Sequence, residues 1–316
     1  MSVIEQIQNL IHGANDIVIS GHINGDADSI GSSFAMAFAI SKLGKTPKVI
    51  IEGYGEKYRV LPGFEFLYEG ALVDLNPELF IALDCGEAFR LGDALPVFER
   101  SQKNILIDHH INEGFAQLNY VDETASSTCE MVYGVLANWV AIDTQIAMCL
   151  YSGILTDTGG FRFPSTTPVT LEVVSQLLKH DFDFTGIYEK LMYEQSLEQF
   201  TGWRSIINDF KVVPEVKLIY TTANLEKMNE LNLSKYDLEG LIVMLNRVKE
   251  MDLAIFAYET EKGKSKVSFR SKYQDVNALA RVFGGGGHMR ASGAIMDQDP
   301  QTAVGLIIEE LKKKDG

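Results

Sequence analysis

The sequence has few cysteines and no long apolar run. Its three cysteines (Cys85, Cys129 and Cys149) are widely spaced and odd in number, which argues against a disulfide framework and against a CxxC metal site. They are more simply small core residues. No uncharged apolar segment approaches the ~20 residues needed to span a bilayer, and the N-terminus lacks a basic stretch before a long apolar run. We therefore expect a cytoplasmic protein with no membrane partner.

Basic residues are also scarce. The chain has 28 Lys and Arg against 43 Asp and Glu, a formal net charge of -15. A protein that binds long nucleic acid usually carries a basic surface that neutralises many phosphates. The acidic balance therefore argues against long nucleic acid as a partner and favours a small anionic substrate bound with the help of metal.

The N-terminal part alternates buried strands with helices. NDIVISGH, KVIIEG, LFIALDCG and KNILIDHH are short apolar runs without the alternation of half-exposed strands, which predicts buried parallel strands. SIGSSFAMAFAISKLGK predicts a helix that ends at Gly44, and SSTCEMVYGVLANWV one that begins with a capping box of Ser127 and Glu130. TQIAMCLYSGIL and the segment after Thr167-Pro168 predict two more helices. This pattern predicts an α/β fold with a doubly wound, mostly parallel sheet.

A second domain is predicted after a polar helical segment. The chain is long enough for two ordinary domains, and 46% of its residues are apolar. After Pro214, KLIYTT, LAIFAYE and KVSFRS predict new strands. We predict a metal-binding domain over 1–184, a helical linker over 185–211, and a smaller α/β domain with a mixed sheet over 212–316.

Acidic residues and histidines follow three of the predicted parallel strands, in GHINGDADS, ALDCG and IDHH, and one more acid lies in SGILTDTGGFRF. Because the carboxyl ends of strands in an open parallel sheet converge on one crevice, we expect these side chains to meet. The candidates are His22, Asp26, Asp28, Asp84, Asp108, His109, His110 and Asp157.

Each of these residues also has an ordinary structural interpretation. Asp26 and Asp28 could cap a helix, and Asp84 and Asp108 could be turn residues. Crowded carboxylates repel one another, however, and a bound cation reverses that cost. Oxygen and imidazole ligands without thiolate suit Mn(II), Mg(II) or a similar ion, and there are more ligands than one ion requires. Two ions ~3.5–4 Å apart are suited to phosphoester hydrolysis.

The segment FGGGGHMRASG of the second domain also has two interpretations. It could be a flexible turn between a helix and a strand of small residues. Alternatively, Gly285, Gly286 and Gly287 could aim backbone N–H groups at an anion, with Arg270 and His288 as cationic donors. The second interpretation predicts a phosphate-binding site.

Several of these motifs together resemble a known family. HINGDADSIGS, ALDCG, IDHH and GILTDTGGFRF resemble, in order, the four motifs of the DHH phosphoesterases. SFRS and GGGGHMRASG resemble the DHH-associated C-terminal domain of the nano-RNase and pAp-phosphatase branch. The resemblance covers nearly the whole chain. The family often has Pro-Asp-Gly-Asp where this chain has GDAD, so both acids are retained in a loop of different stiffness.

The resemblance implies a role for each candidate residue. His22, Asp26 and Asp84 would hold one divalent ion, Asp84 would bridge to a second, and the second would also have the ligands Asp28, His109 and Asp157. The ions would be Mn(II), with Mg(II) or Co(II) as alternatives. His110 would contact the scissile phosphate, and Asp108 would orient a histidine. Arg270 and the Gly285–His288 segment would bind the terminal phosphate of a short oligonucleotide.

The resemblance leaves several activities open. The chain could release mononucleotides from very short RNA, remove the 3'-phosphate of pAp, or open linear dinucleotides such as pApA. A cyclic-dinucleotide phosphodiesterase is an alternative, and a long-strand exonuclease is disfavoured because no added binding domain is present. From another class, the chain could be a non-catalytic nucleotide-sensing module, but all the implied ligands are present, which favours an enzyme. A homodimer is possible.

Overall fold

The computed structural model describes residues 1–111 and 114–314 and divides into two compact units, Met1–Glu194 and Gln195–Gly316. The boundary between the units lies within the segment 185–211, which holds one helix and part of another. Among the described residues, no helix combines the length and the apolar character needed to cross a bilayer.

The first unit is built on a five-stranded sheet in which every strand pairs in parallel. β1 and β3 are buried along their whole lengths, as their uninterrupted apolar sequences predict. The fifth strand was not predicted from the sequence, because it is short and only half-buried. The strands are β1 (Ile17–Ser20), β2 (Lys48–Ile50), β3 (Leu79–Leu83), β4 (Lys103–Asp108) and β5 (Leu118–Val121).

Helices cover both faces of this sheet, so the predicted doubly wound α/β fold is confirmed. Ile17, Ile81 and Ile107 face a large core shared with helices α2, α4 and α5, and Phe80 and Leu106 face a smaller core that includes α3. The helices of this unit are α1 (Val3–Gly13), α2 (Ala27–Lys42), α3 (Leu95–Arg100), α4 (Thr128–Leu136), α5 (Thr144–Asp157), α6 (Pro168–Leu177) and α7 (Phe184–Met192).

Two helix starts differ from the sequence prediction. α1 was not predicted, although Ser2 and Glu5 form a full capping box at its start. At α4, Ser127 accepts the N–H of Glu130 as predicted, but the Glu130 carboxylate accepts the hydroxyl of Ser126. The helix is therefore capped by half of the expected box.

The strand order in the first sheet is β2-β1-β3-β4-β5. The chain leaves β1 toward one edge to form β2 and returns on the other side of β1 to form β3. The carboxyl ends of β1 and β3 therefore flank a topological switch point, which is where open α/β sheets form their binding crevices. The motifs that contain Asp26, Asp28 and Asp84 follow these two strands.

The second unit contains a six-stranded mixed sheet of order β10-β11-β9-β8-β7-β6, in which only β7 and β8 pair in parallel. Its strands are β6 (Lys211–Val213), β7 (Leu218–Ala223), β8 (Leu253–Glu261), β9 (Lys264–Ser271), β10 (Gly286–His288) and β11 (Ala291–Met296). The mixed sheet agrees with the predicted fold class.

Each face of the second sheet has its own core. One face packs on α11 and α12, and the other on α8, α9 and α10. The helices of this unit are α8 (Leu197–Asn208), α9 (Leu225–Glu230), α10 (Leu241–Asn246), α11 (Val276–Val282) and α12 (Pro300–Lys314).

Candidate metal centre

His22 lies in the loop that follows β1 and is only 5% exposed. Its backbone N–H donates to Ser29 Oγ at 3.0 Å, and its Nδ1 lies 2.9 Å from the carbonyl oxygen of Ile23. A hydrogen bond from Nδ1–H to a carbonyl fixes the tautomer in which Nε2 carries the lone pair. The loop therefore holds the ring as metal proteins usually hold a ligating histidine.

Asp26 caps a helix, as one interpretation of the sequence predicted, and it also faces the candidate metal site. Its Oδ1 accepts the N–H groups of Asp28 and Ser29, both at 3.1 Å, and so caps the start of α2. Its Oδ2 lies 3.6 Å from His22 Nε2. One oxygen thus stabilises the helix while the other faces the same space as His22.

Asp84 follows β3 and lies between two groups of side chains. Its Oδ2 is 3.5 Å from His22 Nε2, and its Oδ1 is 3.6 Å from His109 Nε2. The carboxylate is 1% exposed, and the residue has a left-handed backbone with φ of 60°. This conformation is uncommon for residues other than glycine, although Asp and Asn adopt it more readily than most.

Asp28 is held by the N-terminus of α4. The N–H groups of Thr128 and Cys129 donate to its two carboxylate oxygens at 2.7 and 2.8 Å. The Thr128 hydroxyl donates to Asp84 Oδ1 at 3.2 Å, so one residue of α4 contacts two of the candidate ligands. The sequence analysis missed this role of Thr128. The only signal in the sequence was the predicted helix start at this position.

His109 completes the second group. Its Nε2 lies 3.1 Å from Asp157 Oδ2 and 3.8 Å from Asp28 Oδ2. Asp157 is the last residue of α5, and the chain turns sharply after it through Gly159 and Gly160, both with positive φ. All the metal ligands implied by the resemblance therefore lie together.

The distances between these atoms are near those between ligands of one ion, and most are a few tenths of an ångström longer. Two ligand atoms that each lie ~2.1 Å from one ion, at angles of ~90–110°, are roughly 3.0–3.4 Å apart. Ligand atoms of His22, Asp26 and Asp84 lie within 4.8 Å of one another, as do those of Asp28, Asp84 and His109. Asp84 is common to both sets, with one oxygen toward each, as expected for a ligand that bridges two ions.

The electrostatics of the cluster also favour a cation. Burial, together with Asp84 and Asp157, raises the pKa of the Asp28 carboxyl well above its usual range. Burial raises the pKa of Asp157 as well. At His22, burial and Arg90 disfavour the charged ring, but Asp26 and Asp84 outweigh them and raise the pKa to about 10. The cluster therefore holds positive charge in the form of protons, which a metal ion can replace.

His110 is oriented by Asp108. The Nδ1 of His110 lies 2.8 Å from Asp108 Oδ1, which also accepts the His110 backbone N–H at 3.3 Å. Asp108 was expected to orient a histidine, and the structure places it against His110 rather than against the candidate ligand His109. The Nδ1–H of His110 thus points to Asp108, and Nε2 points away from it.

Arg270 and His288 lie in one row of the second sheet. Ala291 of β11 pairs with Arg270 of β9 on one side and with His288 of β10 on the other. Directly paired residues of antiparallel strands share a face, so the two cationic side chains stand on one face, two strand spacings or about 10 Å apart. The pair Ser268 and Gly293 occupies the neighbouring row, and this leaves a surface of small side chains.

The glycine run does not form the flexible turn considered from the sequence, since Gly286–His288 is a short edge strand. A Cβ on Gly285 would lie 2.2 Å from the carbonyl oxygen of Gly293, so this glycine is required for close strand packing. A Cβ on Gly286 would meet nothing closer than 3.9 Å. Gly286 therefore has an open side that a ligand can approach, whereas Gly285 has a structural role.

Two family models match the chain. The model described as "DHH family, N-terminal domain" matches residues 16–154, and the "DHHA1 domain" model matches residues 215–314. The first match contains all five strands of the first sheet and every candidate metal ligand except Asp157. The second contains Arg270 and the glycine-rich strand.

Known proteins resemble the chain over nearly its full length. The "Bifunctional oligoribonuclease and PAP phosphatase NrnA" of Bacillus subtilis (strain 168) is 30% identical over 313 residues, which cover 94% of this chain and 95% of that protein. The crystal structure of an exopolyphosphatase-related protein from Bacteroides fragilis matches with a TM-score of 0.89 and 25% identity, covering 98% of this chain and 96% of the other.

A more distant solved structure shares the fold. RecJ from Thermus thermophilus, solved in complex with Mn2+, matches with a TM-score of 0.56 and 12% identity over 99% of this chain and 54% of its own. With its DHH and DHHA1 domains and its full-length similarity to a bifunctional oligoribonuclease and PAP phosphatase, this chain belongs to the DHH family of phosphoesterases.

Proposed function

We propose that this protein is a metal-dependent hydrolase that cleaves very short oligonucleotides and removes the 3'-phosphate of pAp. The observation that carries the proposal is the position of Asp84, whose two carboxylate oxygens face two separate groups of metal-ligating atoms. A carboxylate shared in this way suits a site for two divalent ions. The full-length relative named for both activities supports the choice of substrates.

The proposed ligands of the first ion are His22, Asp26 and Asp84, and those of the second are Asp28, Asp84, His109 and Asp157. The oxygen and imidazole donors favour Mn(II), with Mg(II) and Co(II) as alternatives. When bound, the ions would supply the positive charge that lowers the pKa of water and stabilises phosphoryl oxygens. The hydrogen bonds to His22, Asp26 and Asp28 orient these ligands before an ion arrives.

His110 is the proposed contact to the phosphate that is cleaved. Asp108 holds its ring through Nδ1, and the His110 side chain is more exposed than that of His109. With Nδ1 fixed in this way, Nε2 is the atom that can donate to a phosphoryl oxygen or to a leaving group. Asp108 is then a positioning residue.

Arg270, Gly286 and His288 are proposed to bind the terminal phosphate of the substrate. Burial lowers the pKa of Arg270, with Glu239 opposing that effect, but an arginine stays charged at neutral pH. Charge-assisted donors of this kind recognise phosphate bidentately. Gly287, with φ of 140°, and Gly285 keep the edge strand close to β11, so their contribution to binding would be indirect.

The deciding experiment measures hydrolysis of pAp, pApA, cyclic di-AMP and RNA of two to five nucleotides, each with Mn(II), Mg(II) and Co(II). We expect turnover of the linear short substrates with Mn(II) and little activity on the cyclic one. Binding without turnover of any substrate would contradict the proposal and identify a nucleotide-sensing module. Preferential cleavage of the cyclic dinucleotide would reassign the substrate.

The proposed division of roles predicts that Arg270→Ala and His288→Ala change substrate choice rather than chemistry. Loss of a charge-assisted hydrogen bond worth about 1.5–3 kcal/mol should lower kcat/KM for pApA by roughly ten- to a hundredfold. Bis(p-nitrophenyl) phosphate has no terminal phosphate and should be cleaved at close to the parental rate. A parallel decline on both substrates, at unchanged metal content, would place these residues at the chemical step.

A further inference from the structure

Arg90 lies beside the candidate metal centre. It belongs to the turn segment Ala88–Ala94, which follows β3, and its carbonyl oxygen accepts the N–H of Ile23 at 2.8 Å. The segment is seated tightly there, since a Cβ on Gly92 would lie 2.3 Å from the Ile23 side chain. The backbone of Arg90 is therefore fixed against the loop that carries His22 and Asp26.

The side chain of Arg90 has no partner in the part of the chain that the structure describes, 1–111 and 114–314. It is half-buried, yet its guanidinium makes no hydrogen bond or ion pair with any of those residues. Its position beside the cluster follows from the backbone, since Arg90 is hydrogen-bonded to Ile23, the residue next to His22, and its charge lies within electrostatic reach of His22 and Asp26. Its hydrogen-bond donors are thus available for a ligand beside the His22 and Asp26 side of the centre.

This position is unfavourable for metal binding alone. A fixed positive charge within electrostatic reach of a cation site repels the cation, and the effect is large where water is largely excluded. An anion that contacts both the ions and the guanidinium would offset the repulsion. The phosphate of a bound substrate is such an anion, and the planar fork of arginine matches two phosphoryl oxygens.

We propose that Arg90 is a substrate-binding residue that donates to the phosphoryl oxygens of the nucleotide at the metal centre, on the side of His22 and Asp26. The inference rests on the proposed function and adds a phosphate-binding group that is separate from Arg270 and His288. It also assigns opposite effects to one side chain, since Arg90 weakens the binding of metal and strengthens the binding of substrate.

The test compares Arg90→Met, which removes the charge but keeps much of the apolar volume, with Arg90→Lys, which keeps the charge but loses the planar fork. Lys103→Met is the control, because Lys103 is exposed at the opposite end of the same sheet, where β4 begins. Three quantities are measured for each protein. The first is the Mn(II) midpoint, which is the Mn(II) concentration that gives half of the maximal thermal shift without substrate. The others are the Kd of AMP with saturating Mn(II) and kcat/KM on pAp and pApA.

For Arg90→Met we expect a Mn(II) midpoint that is equal to the parent's or a fewfold lower. The Kd of AMP should rise, and kcat/KM should fall, by roughly ten- to a hundredfold, in line with the loss of a bidentate phosphate contact. Arg90→Lys should recover part of both losses. Lys103→Met should match the parent in all three quantities.

Other outcomes have separate meanings. If Arg90→Met binds AMP and turns over both substrates within twofold of the parent, the inference is wrong. It is equally wrong if the Mn(II) midpoint rises in parallel with the loss of activity, because Arg90 would then only support the loop. If the parent has no turnover, the proposed function fails, and Arg90 is judged by AMP binding alone. Should Arg90→Met not fold, Arg90→Gln replaces it.

Discussion

At the scale of single residues, two carboxylates of the candidate metal centre, Asp26 and Asp28, contact both the protein backbone and the metal-binding space. Asp26 caps α2 with one oxygen and faces His22 with the other, and Asp28 accepts two backbone N–H groups from α4. These hydrogen bonds set the direction of each carboxylate, because an oxygen that accepts a fixed N–H cannot rotate freely. The structural interpretation of these acids and the metal-binding one are therefore compatible.

Asp84 is best tested by Asp84→Asn, since Asn tolerates the left-handed backbone that would cost Ala about 1–2 kcal/mol. With one charged bridge lost, we expect kcat on pAp to fall by at least about a hundredfold. Elemental analysis should show fewer than two ions per chain. Parental turnover at full metal content would contradict a shared ligand.

His110 should affect catalysis without affecting metal content. His110→Ala is expected to lower kcat by roughly 10²–10⁴-fold, the range for loss of a general acid or base. Asp108→Asn should cause a smaller loss, because it only disturbs the orientation of the ring. The Mn(II) content of both variants, measured by elemental analysis, should equal that of the parent. Loss of metal from His110→Ala would make His110 a ligand instead.

At the scale of elements, the start of α4 and the Asp28 carboxylate are packed closely against α5. Gly153 lies within α5, and a Cβ there would lie 2.3 Å from Cys129 Sγ and 2.6 Å from Asp28 Oδ1. The absence of a side chain at this position lets α5 pass beside the start of α4 and the Asp28 carboxylate. A glycine in a helix normally lowers stability, so its presence here has a packing reason.

Gly153→Ala should therefore lower both stability and metal affinity. We expect a loss of about 1–3 kcal/mol of unfolding free energy from overpacking, together with a higher Mn(II) midpoint, because Asp28 must shift. Gly134→Ala in α4 is the matched control. A Cβ there meets nothing within 4 Å, so the change should raise stability by roughly 0.5–1 kcal/mol. Chemical denaturation and Mn(II) titration measure both effects, and similar results for the two variants would refute the packing argument.

At the scale of the whole molecule, the metal centre should act as a stabilising element that joins three strand ends to two helices. Mn(II) at a concentration about a hundredfold above its Kd should raise the unfolding free energy by ~2.7 kcal/mol. This corresponds to a Tm rise of roughly 5–10 °C. Differential scanning calorimetry with EDTA and with Mn(II) measures this shift. We expect Asp84→Asn to lose most of it, and an equal shift in that variant would contradict the assignment.

The affinity of the metal centre for Mn(II) should depend on pH. The pKa of His22 is about 10, and the pKa of His109 is also raised, because Asp157, Asp28 and Asp84 together outweigh the effect of burial. Both rings therefore hold protons that an ion must displace. Protonation dominates below the raised pKa, so Mn(II) affinity should increase with pH between about 6.5 and 8.5, by up to tenfold per unit for each proton released. An affinity that is flat over this range would show that the histidines bind no metal.

Much of the fold and the site could be predicted from the sequence because the signals are local. Buried parallel strands are uninterrupted apolar runs, and the residues that follow β1, β3 and β4 had to converge because strand ends meet at one edge of a sheet. The helix start at Thr167-Pro168 follows from capping chemistry within a few residues. The short strands β5 and Gly286–His288 were not predicted because their local signals are weak, and α1 was missed although its capping box is a local signal.

Only the tertiary structure decided which distant groups hold those residues in place. Asp28 and Thr128 are 100 residues apart, and nothing in the pattern of either segment indicates that the N-terminus of α4 holds that carboxylate. No sequence pattern explains Gly153 either, because its role depends on the packing of α5 against α4. The position of Arg90 likewise depends on a hydrogen bond to the loop after β1. The sequence by itself determined the candidate ligands, since each lies in a motif at the end of a strand or at a helix terminus, where the signal is local. The packing of separate elements determined their geometry, because contacts between distant segments have no periodic pattern in the sequence.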